Sequence, residues 1–356
     1  MRSIKERVRE REREGEVMAH FFIGLLVVIL SIGNVIEEAN GEISQTVLSQ
    51  IERMNKRGPY LGILAPNNFE LNPLLASKAY VPYPPLPFID FAGKRFRFGK
   101  ILKEGVVIVM TGLGMVNAGV ATQLLVSLFR LKGVLHYGIA GNADVNLQIG
   151  DVTIPNFWAH SGLWNWQRYG DGIDKELALE AAGDYTRDIG YLQFSNYNNG
   201  SDNLLNRVWY QPEEIFPVTG TPEVREHVFW IPVDKSYFDL ARQLEDTELP
   251  QCVNTTCLPR PPKVTIVDRG VSASVFVANA AYRTFLRSKF NVTAIDMESA
   301  AVALICHQQS LPYIVIRALS GSGSDLFGRL AVQNSIDVLV KFVGLLPRHG
   351  SKIQSE

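Results

Sequence analysis

The sequence predicts an α/β fold with one large core built on a mostly parallel sheet, and three observations point there. Gly105–Met110 (GVVIVM), Gly133–Ile139 (GVLHYGI) and Tyr313–Leu319 (YIVIRAL) are short, β-branched and apolar, as strands buried on both faces are. Thr111-Gly112-Leu113-Gly114 follows the first run directly and leads into Val116–Arg130 (VNAGVATQLLVSLFR), so strand, glycine turn, helix and strand succeed one another. That order is a right-handed parallel unit. Hydrophobic residues make up 46% of the 356 residues and charged residues 20%, enough for a substantial core.

The elements follow in order. Residues 43–57 carry Val47, Leu48, Ile51 and Met54 at helical spacing, and Gly58-Pro59 stops that helix. Tyr60–Leu64 (YLGIL) reads as the first strand, and Phe88–Phe98 as a hairpin. After the unit above come strands at Asp151–Ile154, Lys263–Val267 and Thr293–Ile295. The last leads through Asp296-Met297-Glu298 into a helix at Ser299–His307. A final amphipathic helix spans Gln333–Leu345. Residues 161–262 differ in character, rich in Asn, Tyr, Trp, Pro and Glu with poor periodicity, and read as a decorated insertion on a core spanning 43–350.

Residues 1–42 form a separate segment. An Arg/Glu-alternating extension precedes an apolar run from Phe21 to Ile36 of about sixteen residues, short of the roughly twenty that span a bilayer. It reads as a secretory signal, with a retained anchor at residues 21–36 as the alternative. Three Asn-x-Ser/Thr sequons, at Asn199, Asn254 and Asn291, fit passage through the secretory pathway. Cys252 and Cys257 in CVNTTC are either a small disulfide loop or two surface thiols. Net charge is −1, so no basic field points to a nucleic-acid polymer. No zinc-type Cys/His spacing and no phosphate-binding P-loop occurs, so no metal is expected.

Ligands of open parallel sheets bind beyond the carboxyl ends of the strands. Gly112, Gly114 and the segment Gly138–Gly141 end strands there, either as tight turns or as small walls admitting an anion or a sugar. Glu298, where a strand meets a helix, either grips two adjacent hydroxyls of a ribose or decorates a helix N-terminus.

With these segments in order, the sequence resembles the nucleoside phosphorylase and nucleosidase superfamily, and within it the plant bark and vegetative storage proteins. The resemblance covers most of residues 58–345 and rests on VIVMTGLGMVNAGVATQLL, HYGIAGNADVNLQIGDVTIP and AIDMESAAVALICHQQSLPYIVIRALS. It implies a three-layer fold with a twisted mixed central sheet flanked by helices. It also implies cleavage of the N-glycosidic bond of a purine nucleoside, no cofactor, phosphate as an optional co-substrate, and a homo-oligomer. Carried over singly, Glu298 holds the ribose hydroxyls, Met297 packs beside the sugar, and Phe276 lies against the base. Glu70 positions the attacking water, while Gly112, Gly114, Ala140 and Gly141 wall the sugar and anion pocket.

Two departures stand out. His136 takes the place of a phosphate-binding arginine, and Ile139 a place that usually offers a hydroxyl. The family's Arg-Ala-x-Ser-Asp strand end reads Arg317-Ala318-Leu319-Ser320-Gly321, so the aspartate that donates to the base is missing. Asp325 is the next carboxylate. A catalytically impaired storage glycoprotein, secreted or vacuolar, is the alternative function. The nucleoside reading requires Glu298 and Phe276 to face one cavity.

Overall fold

The structure, a computed structural model, describes residues 44–165, 191–193, 207–321 and 325–347. The charged extension, the apolar run 21–36 and Asn199 lie outside these residues. The chain divides into Met1–Lys56 and Arg57–Glu356. In the first unit, helix α1 (Gln45–Asn55) is capped by Ser44, whose hydroxyl accepts the Val47 N–H at 3.3 Å.

The second unit runs β1 (Tyr60–Ala65), α2 (Asn68–Ala76), β2 (Tyr80–Pro82), β3 (Phe88–Phe91), β4 (Lys94–Ile101), β5 (Glu104–Met110), α3 (Met115–Leu128), β6 (Leu131–Asn142) and β7 (Val152–His160). Small strands follow: β8 (Trp164–Asn165), β9 (Tyr191–Gln193), β10 (Arg207–Tyr210), β11 (Glu213–Ile215), β12 (Glu226–Val228) and β13 (Ile231–Pro232). Then come α4 (Lys235–Ala241), β14 (Cys252–Val253), β15 (Thr256–Cys257), β16 (Val264–Ser272), α5 (Ala280–Phe290), β17 (Val292–Asp296), α6 (Ser299–Gln308), β18 (Tyr313–Ser320) and α7 (Asp325–Leu345).

Among the described residues, eleven strands form one mixed sheet. β1 lies between β5 and β6 and is parallel to both. β6 is long because it serves three neighbours. Its first half pairs β1, Val134–Gly141 pair β18, and Gly141–Asn142 pair β17. β17 continues to β16, β16 to β7, and β7 back to β18, which closes a five-strand ring. Leu61, Ile63, Val107, Val109, Leu135, Ile314 and Ile316 are fully buried in it. The sheet ends are short: β2 and β13 each contain a proline.

Three elements depart from expectation. α2 was not foreseen: Asn67 caps it by accepting the Phe69 N–H at 2.8 Å, and Pro73 sits inside it. α5 was not foreseen either; Asn279 caps it and Asn291 ends it in the left-handed region, φ 56°. α7 starts at Asp325, eight residues before Gln333. The second half of the expected insertion belongs to the core. β13 pairs β7, and buried Tyr210 packs edge-on to Phe290 at 5.1 Å.

Candidate functional site

β6, the end of β17 and the first turns of α2 and α6 converge on one buried cation, Arg317 inside β18. The surrounding strand is apolar, so the guanidinium must find its partners from neighbouring strands. Its Nε lies 2.6 Å from Asp296 Oδ2. Its Nη2 donates to the Ser299 hydroxyl at 3.0 Å and to His136 Nε2, and lies 3.7 Å from Glu298 Oε2. Its Nη1 lies 3.9 Å from Glu70 Oε1. His136, Asp296 and Glu298 place ligand atoms within 4.8 Å of one another, a spacing that suits a cation. The Arg317 guanidinium fills that part.

Asp296 is the permanent counter-charge. Burial pushes its pKa up, but the charge of Arg317, with His136 and the hydroxyls of Ser272 and Ser299, outweighs burial and holds it below the ordinary value. Its Oδ1 also accepts the N–H groups of Glu298 and Ser299, both at 3.1 Å, so Asp296 caps α6. Glu298 is thereby freed from capping. Glu298 turns inward, is 3% exposed, and accepts the Gly114 N–H at 3.0 Å. Burial, then the charge of Asp296, raises its pKa. The helix-decoration alternative is therefore not the one the fold adopts.

Glu70, in the first turn of α2, is 1% exposed. Its Oε1 accepts the Ile139 N–H at 2.9 Å, while Oε2 has no hydrogen-bond partner. Arg317 Nη1, also buried, has none either. Burial raises the Glu70 pKa to about 7 against the opposing charge of Arg317. The close approach requires Gly138: a Cβ there would lie 2.3 Å from both Glu70 Oε1 and Arg317 Nη1.

A cavity of about 660 Å³ opens on this cluster. Glu70, Asp296, Met297 and Glu298 line it together with Phe276, so the expected acid and aromatic share one hollow. Ala140 and Gly141 line it as expected, at the end of a strand rather than in a turn. Phe276 is 75% exposed, so its ring is free to lie against a ligand at the mouth.

Other expectations need correction. Gly112 and Gly114 do not wall the cavity; Leu113 between them does. Both glycines have positive φ, 86° and 90°, and their N–H groups go to Pro66 and Glu298 rather than to a ligand. His136 is not a phosphate ligand, because both its ring nitrogens are engaged. Nδ1 pairs with the Leu64 carbonyl at 3.1 Å and Nε2 with Arg317. Burial, then the charge of Arg317, lowers its pKa to about 3, so it is neutral. Asp325 begins α7, and its side chain lies outside the described residues.

Sequence reasoning quoted Arg317 and Asp296 only as parts of motifs. An arginine inside YIVIRAL was the available signal, since a lone charge in a buried strand demands partners.

Cys252 and Cys257 are disulfide-bonded across the β14–β15 hairpin, which leads directly into the cavity-lining Leu258 and Pro259, and Asn254 sits exposed in its turn. Asn291 is exposed at the end of α5. Among the described residues no helix is long and apolar enough to cross a membrane.

Comparison with known proteins identifies the family. The family model of the Phosphorylase superfamily matches residues 60–344. Bark storage protein A of Populus deltoides is 30% identical over 309 residues, covering 84% of this chain and 94% of that protein. The 5'-methylthioadenosine/S-adenosylhomocysteine nucleosidase of Bacillus cytotoxicus is 26% identical over 64% of this chain and 73% of its own. Among solved structures, futalosine hydrolase of Helicobacter pylori superposes with a TM-score of 0.53 at 20% identity, over 81% of this chain and 98% of that one. The nucleosidase of the same organism gives 0.54 at 19%, over 81% and 98%. Those two likenesses establish the fold: a mixed central sheet with flanking helices. By sequence match and by architecture, the chain belongs to the Phosphorylase superfamily.

Proposed function

We propose that the protein binds a purine nucleoside in this cavity and hydrolyses its N-glycosidic bond. The observation that carries the reading is the shared cavity of Phe276, Met297, Glu298 and Glu70. The base lies against Phe276, and Glu298 Oε2 accepts from the ribose hydroxyls. Buried polar atoms take partners, and a water between Glu70 Oε2 and Arg317 Nη1 would satisfy both. Glu70, with a pKa of about 7, then takes the proton of that water as it attacks the anomeric carbon. Water is favoured over phosphate because Glu70, Asp296 and Glu298 confront one cation, Arg317, and a phosphate would meet net repulsion. No cofactor enters this chemistry. Incubating the purified chain with adenosine, inosine and methylthioadenosine, with and without phosphate, tests the reading. Release of base independent of phosphate is expected; no release under either condition removes it.

A second reading is favoured by Gly321, which stands where the family places its aspartate, and by the 30% identity to a bark storage protein. Loss of a general acid costs about a hundred- to ten-thousandfold in rate. In this reading the protein is a storage glycoprotein of the secretory pathway, secreted or vacuolar, with glycans on Asn254 and Asn291. It is homo-oligomeric, and membrane-bound only if residues 21–36 are retained. High seasonal abundance with negligible turnover supports it; low constant abundance with nucleosidase-like turnover removes it. N-terminal sequencing of the mature chain decides the anchor.

A further inference from the structure

We propose that Arg283 reads the base and selects a 6-oxopurine, an inference that rests on the nucleoside reading and narrows its substrate class. Arg283 lies in the first turn of α5 and forms part of the cavity wall, beside the loop that carries Phe276. Its Nη1 donates to the carbonyls of Val277 at 3.3 Å and Ala278 at 3.0 Å. The head of the side chain is thereby fixed to the loop bearing the aromatic ring. Its Nε–H and Nη2–H edge has no hydrogen-bond or carboxylate partner among the described residues. Three other polar side chains on the wall direct donors to the protein: Asn142 to the carbonyls of Asp144 and Leu147, Gln148 to that of Arg260, Ser320 to that of Ala140; Asn67 accepts the Phe69 N–H, and its amide donor is a neutral single group rather than a fork. The neighbouring wall of Val275, Phe276 and Val277 is apolar and offers the base no competing polar partner.

A guanidinium edge offers two parallel donors and no acceptor. O6 and N7 of hypoxanthine or guanine are two adjacent acceptors and match it. Adenine presents an amino donor in place of O6 and meets donor with donor. The same contact would place a fixed positive charge where negative charge gathers as the base departs. That compensates in part for the aspartate missing at Gly321 without any proton transfer.

The test is calorimetric binding of hypoxanthine and adenine to the intact chain, to Arg283→Met and to Arg283→Lys. The unsubstituted protein is expected to prefer hypoxanthine by on the order of ten- to a hundredfold, the usual worth of a bidentate arginine–base contact. Arg283→Met should bring the ratio close to one. Arg283→Lys, a point charge without the fork, should fall between. If Arg283 merely braces the Phe276 loop, the substitution weakens both bases alike and leaves the ratio unchanged, which overturns the proposal. A preference for adenine in the unsubstituted protein overturns it too. Binding of neither base to that protein overturns the nucleoside reading itself, and this inference with it.

Discussion

Replacing Glu70 by glutamine tests the electrostatics of the cluster most directly. Buried among Asp296 and Glu298, the Glu70 carboxyl has its pKa raised from 4.5 to about 7, with burial as the main cause. In the unfolded chain it ionises freely near 4.5, so between pH 4.5 and 7 the folded state binds more protons. Stability conferred by Glu70 is then fully present below pH 4.5 and lost as pH rises through about 7. Each tenfold change in proton affinity is about 1.4 kcal/mol, so the loss totals about 3 kcal/mol. Glutamine keeps the shape and cannot ionise. Urea unfolding of both proteins from pH 4.5 to 8 should show the variant gaining about 3 kcal/mol on the parent, almost all of it before pH 7.5. A difference that stays flat across that range refutes the assignment of a raised pKa to this carboxyl. Any hydrolysis should rise with pH through about 7 in the parent. In the variant it should be flat and about a hundred- to ten-thousandfold lower.

Further expectations concern neighbouring residues. Gly138→Ala forces a methyl to within 2.3 Å of Glu70 Oε1 and Arg317 Nη1; it should cost roughly 1–3 kcal/mol in urea unfolding and abolish the pH signature of Glu70. Glu298→Gln removes a carboxyl whose ionised form is disfavoured by burial and by Asp296. Its thermal midpoint at pH 7 should be equal to or above the parent's, while nucleoside affinity by calorimetry falls tenfold or more. Replacing Cys252 and Cys257 together by serine opens a six-residue loop. It should lower stability by about 2 kcal/mol while leaving the chain folded by circular dichroism.

How much of this was legible follows from the kind of signal each part leaves in sequence. The core strands announce themselves because a strand buried on both faces must be an unbroken apolar run, and GVVIVM, GVLHYGI and YIVIRAL are such runs. Their lengths did not show. β6 continues to Asn142 because three strands share it, a tertiary demand without a local mark. α2 was hidden for the opposite reason: its sequence NFELNPLLA contains a proline and no clear periodicity, and tertiary burial rather than propensity holds it. That helix carries Glu70, which family spacing located while local pattern did not. Glu298, Met297 and Phe276 were readable from motif, and Asp296 and Arg317 were overlooked within the same motifs. Their roles depend on each other, 21 residues apart in the chain, and the pair forms only when β17 and β18 come together in the ring. His136 was misjudged because its neighbours, Leu64 and Arg317, are invisible from its own strand.

The short prolines at the sheet's rims have a consequence for life in concentrated solution. An exposed strand is a template on which a second molecule can extend the hydrogen-bond ladder, the first step toward fibres. Here one rim is the two-residue β13 with Pro232. The other is β2 with Pro82, beside β3, which follows Pro87 and bears Asp90 in an ion pair with Arg95. Proline lacks the N–H such growth needs, and a charge resists a like copy. Among the described residues, the rims of the main sheet therefore offer a crowded second copy no easy ladder to extend, whether or not the cavity turns over a substrate.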